Sequence, residues 1–285
     1  MPRSKLLFFC QGLFLCAMAC GSHSALAQAP ARPTSTPAQT TAAVKARVTE
    51  NVVDGSIADD KSVEKILSAY SGKVRELDLK IGKLKGDLRK GGVGAGSLGN
   101  FVTDAMRFEA TRKLGKPVVL AVTNSGGLRK SVIAEGDLRS RDIFELMPFE
   151  NALVAFDLTG AQVLDLLRVV VSGRDAQSGA VIKYGINGDK RPKLESAWLL
   201  IDGSQREIDP AAIYTVVSID YLLNVTGGDY SLLRTARNIQ PVGLTLRDTI
   251  SQYAKRETAA GREIVSALDG RFISDKPASG QEPQP

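Results

Sequence analysis

The pattern of apolar and polar positions along the chain predicts helices that alternate irregularly with strands. Apolar residues recur at helical spacing over residues 63–74, and Asp59 or Asp60 precedes them as a helix cap. Residues 77–81 alternate between apolar and polar, which is typical of a half-buried strand. The continuous apolar run at 118–122 indicates instead a strand that is covered on both faces.

The remaining elements follow the same two periods. Further helices are predicted at about 100–114, 140–147, 159–167 and 246–256, and further strands at 152–158, 197–201 and 214–219. The glycines at 91–96 match no phosphate-binding pattern and indicate a loop. The irregular order of helices and strands predicts an α+β fold, with helices packed on a mixed β-sheet.

The first 27 residues have the pattern of a secretory signal peptide. Arg3 and Lys5 form a positive start, an apolar run follows, and Ala25-Leu26-Ala27 supplies small residues for cleavage. We therefore expect the protein to be exported, to the periplasm or out of the cell. The alternative is a lipoprotein signal with Cys20 as the lipidated residue, and only in that case do we expect a membrane anchor.

Composition divides the rest of the chain into three segments. We predict a disordered linker rich in Ala, Pro and Thr at residues 28–58, a folded domain at residues 59–273 and a disordered tail at residues 274–285.

The use of histidine and cysteine limits the chemistry that we expect of this chain. Among 285 residues the one histidine is His23, and all three cysteines lie within the first 27 residues. Cleavage after Ala27 therefore leaves no residue for a Ser-His-Asp or Cys-His mechanism, or for a His-ligated metal pair. It also removes Arg3 and Lys5, so the formal charge falls from +6 to +4. That charge is too mild to indicate a nucleic acid polymer as the partner.

The strand predicted at 118–122 leads directly into a loop with ligand-binding side chains. In this loop, Asn124 offers both a donor and an acceptor, Gly126 permits close approach of a ligand, and Arg129 offers a charged fork. On these residues alone, an ordinary strand-to-loop turn is the alternative, because Gly and Asn are common in turns.

Two aromatic residues and a carboxylate follow on later loops. Phe149 comes after a proline at a helix end, Tyr221 comes just after a strand, and Asp229 follows two glycines. Aromatic rings stack on a base, and a carboxylate accepts hydrogen bonds from ribose hydroxyls, so this set suits a nucleoside. The alternative is that both rings are ordinary core residues.

Five short motifs, in order along the chain, resemble those of a known family. They are Gly99-Asn100-Phe101-Val102-Thr103-Asp104-Ala105, Thr123-Asn124-Ser125-Gly126-Gly127-Leu128-Arg129, Asp142-Ile143-Phe144-Glu145 with Pro148-Phe149, Leu158-Thr159-Gly160, and Gly227-Gly228-Asp229. In this order they resemble the C-terminal domain of the 5'-nucleotidase family over roughly residues 62–256.

The resemblance implies a domain that binds a nucleoside or nucleotide. It implies that the ligand contacts are Asn124, Gly126, Arg129, Phe149, Tyr221 and Asp229. Phe149 and Tyr221 would clasp the base, although Tyr221 stands where phenylalanine is common. The family also has an arginine upstream of the Gly-Asn helix, and here only Arg89 or Lys90 is a candidate to replace it.

In that family, hydrolysis takes place on a metallophosphatase domain with Asp, His and Asn ligands for two metal ions, and the region before Ser62 is too short to be one. The resemblance therefore implies the substrate-binding half of a split 5'-nucleotidase of nucleotide catabolism. We expect no catalytic residue, metal or cofactor in this chain, and divalent metals only on a separate metallophosphatase partner.

Two other functions stay open at this point. The chain is a nucleotide phosphohydrolase in its own right if carboxylates such as Asp104, Asp137 and Asp142 hold Mg or Mn. It is a non-catalytic envelope protein if the fold was kept and the ligand was lost.

Overall fold

The structure, a computed structural model, describes residues 47–186, 188 and 190–275. The predicted signal peptide, the linker up to residue 46 and the tail from residue 276 lie outside the described residues. Residues 47–58 contain no helix or strand, and a compact unit begins at Asp59. Among the described residues, no helix has the length and apolar character needed to cross a bilayer.

The described residues form helices and strands in an irregular alternation. The α-helices are α1 (Lys61–Glu76), α2 (Gly96–Leu114), α3 (Ser140–Leu146), α4 (Gly160–Gly173), α5 (Asp220–Asn224) and α6 (Leu246–Ala259). The strands are β1 (Lys80–Lys85), β2 (Leu88–Arg89), β3 (Leu120–Thr123), β4 (Val132–Ile133), β5 (Gly136–Arg139), β6 (Ala152–Thr159), β7 (Ala176–Ser178), β8 (Ala180–Ile186), β9 (Pro192–Ile201), β10 (Ser204–Glu207), β11 (Ile213–Ile219), β12 (Arg237–Thr245), β13 (Ile264–Val265) and β14 (Phe272–Ser274). Short 3-10 helices cover Ser125–Gly127 and Asp229–Thr235.

The largest sheet is mixed and has the strand order β12-β6-β11-β3-β7. Strands β3 and β11 are parallel, whereas β6, β7 and β12 pair antiparallel with their neighbours. Smaller sheets have the orders β10-β9-β8-β14, β13-β1-β5 and β2-β4. Helix α2 is buried on all sides over residues 97–103, and α4 and α6 bury one face each, so the predicted α+β fold with helices on a mixed sheet is confirmed.

Local sequence explains the elements that lead to the centre of this sheet. All four residues of β3 are buried, and the strand is paired on both edges, as its continuous apolar run predicts. Thr159 begins α4 through a capping box, in which its Oγ1 accepts from the Gln162 backbone and the Gln162 side chain accepts from the Thr159 backbone. Gly115 ends α2 in the left-handed conformation, with a φ of 63°.

Several predicted boundaries are wrong for identifiable reasons. The strand predicted from residue 77 begins at Lys80, because the backbone N–H groups of Leu77, Asp78 and Leu79 donate back to the last carbonyls of α1. Helix α2 begins at Gly96 and not near Asn100. Helix α3 is capped by Arg139 and not by Ser140, since the Asp142 carboxylate accepts from the Arg139 backbone.

Helix α1 is present and capped by Asp60, as the sequence predicts. The Asp60 side chain accepts from the backbone N–H groups of Ser62 and Val63 at 2.7 and 3.4 Å. None of the residues of α1 is buried, and the apolar side chains on its predicted face are 49–64% exposed. Helical periodicity thus identified the helix without identifying a packing partner.

Candidate functional site

A cavity of about 180 Å³ collects most of the side chains that the sequence singled out. Its lining residues are Asn124, Gly126, Gly127, Arg129, Phe149, Asn151 and Tyr221. Five of the six predicted ligand contacts are in this set, although they come from three segments that are far apart in the sequence. The structure therefore brings them together, and their binding role stays a prediction.

Strand topology explains why the three loops meet. Strands β3 and β11 are parallel neighbours, so their carboxyl ends lie at the same edge of the sheet and lead into Asn124 and Tyr221. Strand β6 is antiparallel to β11, with Leu153 opposite Ile219, which brings the start of β6 to that edge. Phe149 lies just before this start and therefore joins the other two segments.

The loop after β3 forms a tight 3-10 turn over Ser125–Gly127. The Oδ1 atom of Asn124 is buried there and has no hydrogen-bond partner among the described residues. A Cβ atom added at Gly127 would lie 3.3 Å from this oxygen, so glycine leaves the space beside it free. A buried acceptor without a donor costs about 1–3 kcal/mol. This oxygen is therefore a candidate acceptor for a hydrogen-bond donor on a ligand.

Arg129 and Phe149 contact each other where both line the cavity. The guanidinium carbon lies 5.0 Å from the centroid of the Phe149 ring, which is a cation–π distance. The backbone N–H of Arg129 donates to the carbonyl of Leu146 at 2.9 Å, so this loop is fastened to the end of α3. The two contacts fix the positions of the charged fork and of the ring relative to each other.

The two aromatic rings lie outside the hydrophobic core. Tyr221 is 55% exposed and Phe149 is half-buried. Asp220 joins their segments, because its Oδ1 accepts from the backbone N–H groups of Tyr221 and Ala152 at 2.8 and 3.1 Å. Partly exposed rings that line a cavity contradict the alternative that both are ordinary core residues.

Asp229 is the one predicted contact that does not line the cavity. It is exposed and begins the second 3-10 helix, directly after Gly228, whose φ is 84°. The next residue, Tyr230, is buried in the protein and is 9% exposed. The glycine turn was predicted, but the described cavity does not reach the carboxylate.

Sequence reasoning missed one lining residue and left two candidates for the upstream cation. The missed residue is Asn151, which lines the cavity two residues beyond Phe149. Of the two candidates for the upstream cation, Lys90 reaches the first loop, where its Nζ donates to the carbonyl of Leu128 at 2.9 Å. Arg89 is paired instead with Asp87 at 2.5 Å.

The carboxylates considered as metal ligands are all engaged by cations. Asp104 forms two hydrogen bonds of 2.9 Å with Arg271. The other pairs are Asp137 with Lys80 at 2.6 Å and Asp142 with Lys130 at 3.1 Å. Within the described part of the chain, no three His, Cys, Asp or Glu side chains are grouped so as to hold a metal ion.

Comparison with known proteins places the fold and the motifs in one family. The family described as "5'-nucleotidase, C-terminal domain" matches residues 76–234. A 5'-nucleotidase from Vibrio vulnificus is 30% identical over 192 residues, which is 62% of this chain and 31% of that protein. The protein UshA of Escherichia coli is 29% identical over 186 residues, which is 61% of this chain and 30% of UshA.

Solved structures give the same result. A 5'-nucleotidase precursor from Thermus thermophilus superposes with a TM-score of 0.64 at 25% identity, over 76% of this chain and 43% of that one. The NAD nucleotidase of Haemophilus influenzae shares the fold, with a TM-score of 0.58 at 18% identity. This chain spans about a third of the length of the two curated relatives named above. It belongs to the 5'-nucleotidase family, through the C-terminal domain of that family.

Proposed function

We propose that this chain binds a nucleoside or nucleotide in the cavity and acts as the substrate-binding half of a split 5'-nucleotidase in nucleotide catabolism. The observation that carries the proposal is one cavity lined both by Asn124, whose buried Oδ1 has no donor, and by two partly exposed aromatic rings. An N–H group on a heterocyclic base would satisfy this acceptor while the base stacks on Phe149 or Tyr221.

The charges around the cavity support a ligand with hydroxyl or phosphate groups. Arg129 is exposed and lines the cavity. The Nζ of Lys90 donates to the carbonyl of Leu128, the residue before Arg129. A guanidinium fork suits oxygen anions and hydroxyls. We propose that the base occupies the cavity and that the phosphate projects outward. The names of the matched relatives, 5'-nucleotidase and NAD nucleotidase, refer to nucleotides as well.

For hydrolysis, the proposal assigns the metal ions to a separate metallophosphatase. After residue 27 the sequence has no histidine and no cysteine, which are common ligands of catalytic metals. We further propose that the first 27 residues direct export to the periplasm or the cell exterior, with lipidation at Cys20 as the alternative. A periplasmic or extracellular place suits the breakdown of nucleotides outside the cell.

Calorimetric titration of the purified protein with adenosine, AMP and UMP tests the binding step. Stacking of a base on an aromatic ring contributes about 1–3 kcal/mol. We therefore expect Phe149→Ala and Tyr221→Ala each to raise the Kd at least about fivefold. The matched control is Tyr70→Ala on α1, because Tyr70 is 62% exposed and Tyr221 is 55% exposed.

The outcomes separate the alternatives. If none of the three compounds binds the wild-type protein, the proposal is wrong. The alternative of a non-catalytic envelope protein that kept the fold and lost the ligand then takes its place. If Tyr70→Ala weakens binding as much as Tyr221→Ala does, the assignment of the base to the cavity is wrong.

A further inference from the structure

Asp175 is a buried carboxylate beside the candidate site, and no proposed ligand contact uses it. The residue is 6% exposed. It follows Arg174, which ends α4 in the left-handed conformation, and it precedes β7. Strand β7 is antiparallel to β3 with Ala176 opposite Thr123, so this register brings Asp175 next to the turn that begins with Ser125.

The two oxygens of Asp175 bind two different loops of the site. Oδ1 accepts from the backbone N–H of Ser125 at 2.6 Å, and Oδ2 accepts from the hydroxyl of Tyr230 at 2.8 Å. Tyr230 directly follows Asp229. A Cβ atom at Gly173 would lie 2.6 Å from Oδ2, so glycine leaves room for this orientation of the carboxylate. One side chain thus links the turn of Asn124 to the turn of Asp229.

Burial disfavours the ionised form of this carboxylate. Burial raises the pKa of Asp175, the nearby charge of Asp229 acts in the same direction, and the hydrogen bonds from Ser125 and Tyr230 act in the opposite one. Burial and the charge of Asp175 also raise the pKa of Tyr230, which therefore stays a hydroxyl donor. Loss of either hydrogen bond would therefore leave a buried carboxylate oxygen without a donor.

We infer that Asp175 and Tyr230 are positioning residues that hold the Asn124–Gly127 turn and the Gly228–Asp229 segment at a fixed separation. With both bonds in place, the turn keeps Asn124 and the two glycines in the wall of the cavity. The inference rests on the proposed function for the identity of the ligand, whereas the link between the two turns stands on the hydrogen bonds alone.

The test removes one oxygen from the link. Tyr230→Phe deletes the hydroxyl and leaves Oδ2 of Asp175 without a donor. The matched control is Tyr214→Phe, which deletes a hydroxyl that accepts from the Asp209 backbone at 3.2 Å and does not line the cavity. We expect Tyr230→Phe to raise the Kd for adenosine about tenfold, since a hydrogen bond to a charged group is a strong one. Tyr214→Phe should leave that Kd unchanged.

Hydrogen exchange of the ligand-free protein supplies a second measurement. We expect the hydrogen-bonded amides at the two turns, those of Ser125, Gly127 and Ser231, to exchange at least about tenfold faster in Tyr230→Phe than in the wild type, with no change there in Tyr214→Phe. Asp175→Ala should show the same acceleration. If Asp175→Ala does not fold, Tyr230→Phe alone decides, because it changes a single atom.

These two measurements keep the inference and the proposed function distinguishable. If the wild type binds no nucleoside, the proposed function fails, and the exchange rates still decide whether the link holds the turns. If adenosine binds the wild type and Tyr230→Phe equally well, or if exchange at both turns is unchanged, the positioning role is overturned.

Discussion

Asn124 and Ser218 are polar residues at the same edge of the central sheet. The side-chain oxygen of Ser218 is hydrogen-bonded within the described part of the chain, whereas that of Asn124 is not. Ser218 is buried on β11, and its hydroxyl donates to the carbonyl of Val122 on β3 at 2.8 Å. Asn124, two residues after Val122, has a buried Oδ1 without a donor. The first residue therefore contributes to stability, and the second is expected to contribute to binding.

Substitution of each residue by alanine should separate the two roles. We expect Asn124→Ala to raise the Kd for adenosine at least about fivefold and to leave the Tm unchanged or raise it, because the change removes a buried acceptor and breaks no intramolecular hydrogen bond at Oδ1. Ser218→Ala should lower the Tm by about 2–4 °C, the effect of about 1 kcal/mol in a domain of this size, and leave the Kd unchanged. Thermal unfolding and calorimetric titration measure both. An Asn124→Ala protein that loses stability and keeps its affinity would assign Asn124 to the fold.

Residue types on loops predicted the exposed part of the site, because Asn, Arg and aromatic side chains next to glycine and proline turns are able to contact a ligand. Phe149 and Tyr221 were found in this way. Asp175 was not found, since its role depends on the pairing of β7 with β3 and on Tyr230, which is 55 positions away. No local pattern contains that information.

At the scale of whole elements, periodicity predicted helices better than it predicted their packing. Helices α1 and α2 were both expected from apolar residues at helical spacing. Helix α2 buries eleven of its residues, and α1 buries none. The difference lies in what surrounds each helix. Helix α2 packs against the sheet and α6, which come from distant parts of the sequence, and its residues Leu98 and Met106 are fully buried.

Glycine substitutions in these two helices should have different effects. A Cβ atom at Gly99 of α2 would lie 2.2 Å from the carbonyl oxygen of Gly94 and 3.0 Å from the Cβ of Ala176, whereas at Gly72 of α1 nothing lies within 4 Å. Alanine is the better helix former by up to about 1 kcal/mol. Overpacking outweighs this gain at Gly99, so we expect Gly99→Ala to lower the free energy of unfolding by about 1–3 kcal/mol. Gly72→Ala should leave it unchanged or raise it.

Urea denaturation of the two variants checks this expectation. A Gly99→Ala protein as stable as the wild type would mean that α2 moves away from β7 at little cost. The close approach of these elements would then have no role in the fold.

At the scale of the whole molecule, the order of strands in the central sheet creates the site. The cavity exists because β3, β6 and β11 are neighbours, although β6 and β11 are separated by more than fifty residues. Local patterns predicted these three strands and did not predict their order. The resemblance of five motifs to one family implied only that the loops after these strands contact one ligand, and the match over residues 76–234 confirms the family.

The distribution of charge over the molecule leads to an expectation about catalysis. Hydrolysis with two metal ions needs carboxylate oxygens that are open and grouped within a few ångströms. The oxygens of Asp104, Asp137 and Asp142 are instead bound to Arg271, Lys80 and Lys130, which are far apart in the sequence.

We therefore expect the purified chain to release no phosphate from AMP above the rate without protein when Mg²⁺ or Mn²⁺ is present, because its part in the proposed reaction is to hold the nucleoside. Addition of a metallophosphatase that lacks this domain should give AMP hydrolysis with the wild-type chain. The Tyr221→Ala chain should not support this hydrolysis, because loss of the ring weakens binding of the base. A colorimetric phosphate assay measures both steps. EDTA-sensitive release by the chain alone, abolished in Asp142→Asn, would show that the carboxylates leave their cations to bind metal, and the chain would then be a phosphohydrolase in its own right.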